Sequence, residues 1–169
     1  MKRFIDSIEK SVAIENWYAA VGLALAIPDI CGWLDSGSMK SHERYELWFD
    51  KYLRTAYKHP FQKDFVFLTA GDCYALRCSF LHQGIDDISE QKAKEVLVRF
   101  AFTSTGPHLG HINNVLVLKV SNFCEEMCNA ARIWQTSVKN DAAVQRRIRE
   151  LMTIRSGPFK VIPGVLVGT

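Results

Sequence analysis

The chain reads as a mainly α fold, a bundle of about five helices with one added β-hairpin. Three observations predict this. Apolar residues recur at helical spacing along most of the 169 residues. Helix-stopping signals (Pro28, His59-Pro60, Gly84) punctuate that pattern. Only two runs, Val96–Thr103 and Val115–Val120, have the valine- and phenylalanine-rich make-up of strands. The length suits one domain, residues 1–169, and a hydrophobic content of 48% is ample for its core.

The elements follow in order. A first helix is expected from about Phe4 to Ile27, with Ile14, Trp17, Tyr18, Val21 and Leu25 on its inner face and Pro28 as its stop. Ser41 is placed to cap a second helix reaching about Tyr57, with Tyr45, Trp48, Phe49 and Tyr52 inward. The third is short, Ala70 to Gln83. Thr69 caps it, Asp72 suits the dipole in its first turn, and Gly84 supplies a left-handed end.

The two strand-like runs predict an antiparallel hairpin at about 95–120 around the polar loop Ser104–Asn114. Ser121 then caps a fourth helix with a stripe of Phe123, Met127, Ala130, Ala131, Trp134 and Val138. Asn140 or Asp141 opens a fifth, with Val144, Ile148 and Leu151 inward and Arg146, Arg147 and Arg149 outward. An extended tail, about 156–169, is expected to pack Val161, Ile162, Val165 and Leu166 on the body.

Charge excludes several roles. With 21 basic and 18 acidic residues the formal charge is only +3, too mild for duplex DNA or a membrane surface. The N-terminal MKRFIDSIEKS does not lead into a secretory core, and the apolar run Trp17–Ile27 is shorter than a span of about 20 residues. Five cysteines, an odd number, mostly lie within apolar helical patterns and read as reduced, buried thiols. These features point to a soluble cytoplasmic protein without a membrane partner.

The informative stretch is CYALRCSFLHQG, Cys73 to Gly84. On a wheel of about 100° per residue, Arg77 falls near the middle of the apolar face, between Leu76 and Phe80 on one side and Tyr74 and Leu81 on the other. A guanidinium cannot shed its charge, so burial requires a carboxylate, a subunit interface with water, or an anionic ligand. His82 lies about 140° round, but in the helix's last turn, where a cationic imidazole is favoured and suits a general acid. The structural alternative is that Arg77 pairs with Asp29, Glu15 or Asp72 and merely ties the bundle together.

Arg77-Cys-Ser-Phe-Leu-His82 resembles the motif of the HEPN (higher eukaryotes and prokaryotes nucleotide-binding) superfamily, an arginine and a histidine separated by four to six residues. The resemblance implies a HEPN-like helical bundle with the motif on a late helix and the hairpin as an insertion. It implies a metal-independent endoribonuclease with no cofactor, RNA as substrate, and a homodimer whose paired motifs form one cleft. Arg77 and His82 would be catalytic, with the Ser79 hydroxyl beside them to bind substrate; the basic fifth helix reads first as a solvated face, but if the cleft binds RNA its Arg146 and Arg149 would track the phosphates. A toxin–antitoxin or phage-defence setting, with an antitoxin or other protein partner, would follow. Active members often carry Asn, Asp or His after the arginine, where this chain has Cys78. The resemblance is equally compatible with a catalytically silent module that binds nucleotide or protein.

Other constellations are weaker. Cys124 with Cys128 and Cys73 with Cys78 lack zinc-knuckle spacing. His108 and His111 look like half a metal site but sit in a hairpin loop without an adjacent acid. Trp17, Trp48 and Trp134 fall on inner helical faces and read as core rather than base-stacking platforms.

Overall fold

A computed structural model describes residues 1–163 and 165–168, with the side chain of Leu166 outside that description. The described residues form six α-helices: α1 (Lys2–Ala13), α2 (Trp17–Ser36), α3 (Ser41–Tyr52), α4 (Ala70–Gln83), α5 (Val120–Ser137) and α6 (Ala142–Glu150). Strands β1 (Arg99–Thr103), β2 (Gly110–Ile112) and β3 (Val115–Lys119) make one small sheet, and β4 (Phe159–Ile162) with β5 (Val165–Val167) make a hairpin in the tail. The fold is mainly helical, as expected.

α2 is the central helix and packs against α1, α3, α4, α5 and α6. The expected first helix is in fact two. Glu15 turns left-handed at φ 57°, and α2 starts after Asn16, whose side chain makes no capping hydrogen bond. This break lets α1 fold back onto α2 and α5, burying Ile5 and Ile8, while Ile14 and Tyr18 face solvent instead of the core.

Pro28 does not end α2, which continues for two further turns. An interior proline costs about 3 kcal/mol. Burying Ile27 and Leu34 contributes about 1.5–3 kcal/mol each, which offsets that cost. α2 is therefore 20 residues long, long and apolar enough to cross a membrane by length and composition, although half of it is buried within the bundle. The apolar run is thus not confined to Trp17–Ile27 but extends through the helix to Ser36.

α3 stops at Tyr52 and passes into a 3-10 turn over Arg54–Tyr57. Its packing on α2 is close: a Cβ at Gly32 would stand 2.8 Å from the Arg44 carbonyl oxygen. Ser41 does not cap α3; its hydroxyl donates to Asp29 Oδ1 at 3.1 Å. Ser121 likewise lies inside α5, which begins at Val120 directly from β3. The buried stripe of α5 is the expected one as far as Trp134, with Val138 half-buried just past the helix end, and Asp141 caps α6 by accepting from the amides of Ala143 and Val144.

The sheet departs from expectation. β1 and β3 run parallel, and the antiparallel partner of β3 is β2, inside the stretch read as loop. Asn113 and Asn114, with φ 48° and 60°, make the two-residue turn whose twist suits a tight hairpin. The tail also differs. It pairs with itself as β4 and β5, leaving Val161, Ile162 and Val165 between 43% and 59% exposed rather than packed on the body.

α4 is held at both ends. Thr69 Oγ1 accepts from the Asp72 amide at 3.1 Å, and Gly84 closes the helix at φ 71°. The Asp72 carboxylate is fully buried and accepts the backbone N–H groups of Glu95, Val96 and Leu97 at 2.7–3.3 Å. Gly71 allows that strap to approach, since a Cβ there would lie 2.5 Å from the Ala93 carbonyl oxygen. Asp72→Ala leaves three backbone donors without their acceptor and should lower stability by about 3 kcal/mol. Urea denaturation measures this, and a loss below about 1 kcal/mol would contradict the clamp.

Candidate functional site

The polar site lies where α2, α3 and α4 meet. Asp29 on α2 stands between two arginines. Arg77 of α4 donates from Nη2 to Asp29 Oδ2 at 3.0 Å. Arg44 of α3 donates from Nε to Asp29 Oδ1 at 3.0 Å, with its Nη2 in ion-pair contact with the same oxygen at 2.8 Å. Both guanidiniums are 19% exposed and the carboxylate 14%, so these charges interact in a partly desolvated setting. Among the described residues no other carboxylate forms an ion pair with either arginine. Two cations therefore share one anion, and a positive charge remains uncompensated.

Arg77 is thus neutralised within its own chain, as the structural alternative requires, by the first of the three carboxylates proposed. The imidazole, however, does not point elsewhere. His82 Nε2 lies 3.2 Å from Arg77 Nη1, and His82 is exposed. The arginine sweeps along the helix surface to reach it, overcoming the angular offset of the two Cα positions. Since guanidinium nitrogens only donate, Nε2 is the acceptor in this arrangement and its lone pair faces the arginine. That geometry presents His82 as a base rather than the general acid expected at a helix end.

Other expected site residues fall elsewhere. Ser79 is fully buried and its hydroxyl accepts from Gln91 Nε2 at 3.0 Å, so it cannot touch a substrate; it fixes the strap that follows α4. Arg147 does not face outward. It donates to the carbonyls of Leu34 (2.6 Å) and Asp35 (3.0 Å), capping the C-terminal end of α2. Arg146 and Arg149 are exposed on α6, and no hydrogen bond or ion pair among the described residues joins them to Arg77 or His82.

His108 is already committed at both ring nitrogens. Nδ1 accepts the Lys119 amide at 3.2 Å and Nε2 meets Glu126 Oε1 at 3.0 Å. His111 packs edge-on against Phe65 with ring centroids 5.5 Å apart. Trp48 and Trp134 are core residues, as expected, but Trp17 is only half-buried and lines an open cleft with Tyr18.

The residue missed from sequence is Arg44. Its signal was present: Ser41, Arg44, Tyr45 and Trp48 share one face of α3, so Arg44 interrupts an apolar stripe just as Arg77 does. Comparison of the chain with protein-family models, curated proteins and solved structures finds no match.

The cysteines are free. Burial pushes Cys73 and Cys124 up to about 12 and Cys128 up to about 11, and it raises Cys31 well above the ordinary thiol value. Only Cys78, beside Arg77, is half-exposed. The native protein should therefore show one thiol reactive to Ellman's reagent at neutral pH, lost in Cys78→Ser; rapid reaction of a second thiol would contradict the packing. Asp29→Ala strands two guanidiniums without a counter-ion and should cost about 3–5 kcal/mol in thermal or urea unfolding. A change within about 0.5 kcal/mol would mean the pair contributes nothing to the fold.

Proposed function

We propose that this chain is a metal-independent endoribonuclease of the HEPN type that cuts RNA with Arg77 and His82 at a cleft between two copies. The observation that carries the reading is the 3.2 Å approach of an exposed imidazole to a guanidinium, at a cluster with one positive charge in excess. A phosphodiester is the anion such a cluster suits. Asp29 holds Nη2 of Arg77 in place, so that when Nη1 exchanges its bond to His82 Nε2 for one to a phosphate oxygen the guanidinium stays anchored and the imidazole lone pair is released.

RNA supplies its own nucleophile. His82 Nε2 takes the 2′-hydroxyl proton, the 2′-oxygen attacks phosphorus, and the P–O5′ bond breaks to leave a 2′,3′-cyclic phosphate. The departing 5′-oxygen takes its proton from the His82 of a second copy in its protonated form, in which that ring no longer accepts from its own Arg77. Support for a second copy comes from α2. Ala19, Leu23, Ala26, Ile30 and Trp33 alternate at spacings of four and three on its outer side and are exposed or half-exposed. About a two-fold axis at Ala26, small Ala19 would oppose large Trp33, and Leu23 and Ile30 would come within one residue of facing each other. Asp29 and Gly22 edge that stripe, so the axis lies beside the polar cluster. A toxin or phage-defence role belongs to the same reading.

One observation favours a second reading, a catalytically silent HEPN-like module binding nucleotide or protein: Arg77 is already paired with Asp29. Digestion of single-stranded RNA in EDTA decides between them. Cleavage leaving cyclic phosphate ends should fall by about 10²-fold or more in both Arg77→Ala and His82→Ala. Failure to cut, or cutting that survives both substitutions, would sink the nuclease. Ile30→Glu should yield a folded monomer by light scattering, with cleavage lost.

A further inference from the structure

Phe80, three residues after Arg77 on α4, enters an open cleft of about 200 Å³ walled also by Trp17 and Tyr18 from α2 and Phe102 from β1, with Thr103 and Ser104 at its rim. We infer that this cleft holds a nucleobase of the RNA bound at Arg77 and His82, and so selects single-stranded substrate. The choice of ring rests on the nucleic-acid reading of that pair; the cleft itself does not.

The cleft is built rather than incidental. The left-handed turn at Glu15 starts α2 so that Tyr18 stands 82% exposed, a ring without a core partner. Phe102 is fixed from behind by Phe123, edge-on at 5.6 Å. Phe80 is pressed onto α2 where Gly22 leaves room: a Cβ there would lie 3.3 Å from Phe80 Cε1.

The chemistry of the walls points to a flat aromatic ligand. Stacking on such rings is available to every base because each has a π face. Thr103 Oγ1 is tied to Thr105, whereas the exposed Ser104 hydroxyl makes no hydrogen bond among the described residues and can either donate or accept. One adaptable hydroxyl allows weak base preference, and paired bases in a duplex cannot enter.

Phe80 also links the cleft to the cationic cluster. It lies three residues after Arg77 and two before His82, about 4.5 Å along the helix from the arginine. One turn of α4 thus carries a phosphate-binding cation and a base-stacking wall.

The test uses nucleoside monophosphates with inorganic phosphate as control. AMP or UMP should quench tryptophan fluorescence saturably, and Trp17→Phe should remove that signal. Tyr18→Ala, a substitution at the surface, should weaken binding roughly tenfold. Inorganic phosphate should produce no quenching. Absence of saturable quenching by any nucleotide, affinity unchanged in Tyr18→Ala, or binding of a fatty acid in place of nucleotides would overturn the assignment. Nuclease and cleft fail separately. Full cleavage by Tyr18→Ala with no quenching removes the cleft alone, while nucleotide binding by a protein that cuts no RNA removes the nuclease alone.

Discussion

Asp29 is the constraint on which the rest depends. It sits at the meeting of three helices and holds Arg44, Arg77 and the Ser41 hydroxyl at once. Without it, two guanidiniums of the same sign would share a partly desolvated space, and α2, α3 and α4 could not close there. The same interaction does two things. It pairs Nη2 of Arg77 as a structural salt bridge would, although the buried Nε finds no hydrogen-bond partner among the described residues, and Nη1 lies towards His82 at the surface. One carboxylate between two cations ties three helices together and leaves one positive charge in excess.

The remaining architecture serves to keep α4 in register with that carboxylate. Its N-terminal end is pinned by Thr69 and by the Asp72 clamp on residues 95–97. Its far end is pinned by Gly84 and by Ser79 bonding to Gln91. The strap between α4 and β1 is thereby fastened to the motif helix at two heights. Arg147 closes the C-terminal end of α2, so the helix bearing Asp29 is also held. His108 and Glu126 fasten the loop before β2 to α5. Several residues that look reactive in isolation are spent on this framework.

How much was legible depended on the range of each signal. Thr69, Asp72 and Gly84 act within one turn of their own backbone, and the bounds of α4 are the expected ones. Asp141 and the apolar stripe of α5 were readable for the same reason. The misses needed knowledge of neighbours. Pro28 is a helix stop by itself, but the packing of Ile27 and Leu34 carries the helix past it. Glu15 has no strong local reason to turn left-handed; it does so because α1 gains a place against α2 and α5. Residues 110–112 look like loop until β3 offers them an edge to pair with.

By itself the sequence determined a mainly helical chain, the limits of the motif helix, and the conflict of an arginine set in an apolar face. These follow from backbone propensity, capping and helical periodicity, which act between residues a few positions apart. Only the tertiary structure decided which anion answers that arginine, that Arg44 shares it, that Ser79 is enclosed, and that Trp17 and Tyr18 line an open cleft. Those outcomes depend on charges and surfaces meeting across α2, α3 and α4, from positions up to 48 residues apart. Desolvation and ion pairing are decided by who the neighbours are, and neighbours exist only once the chain has folded.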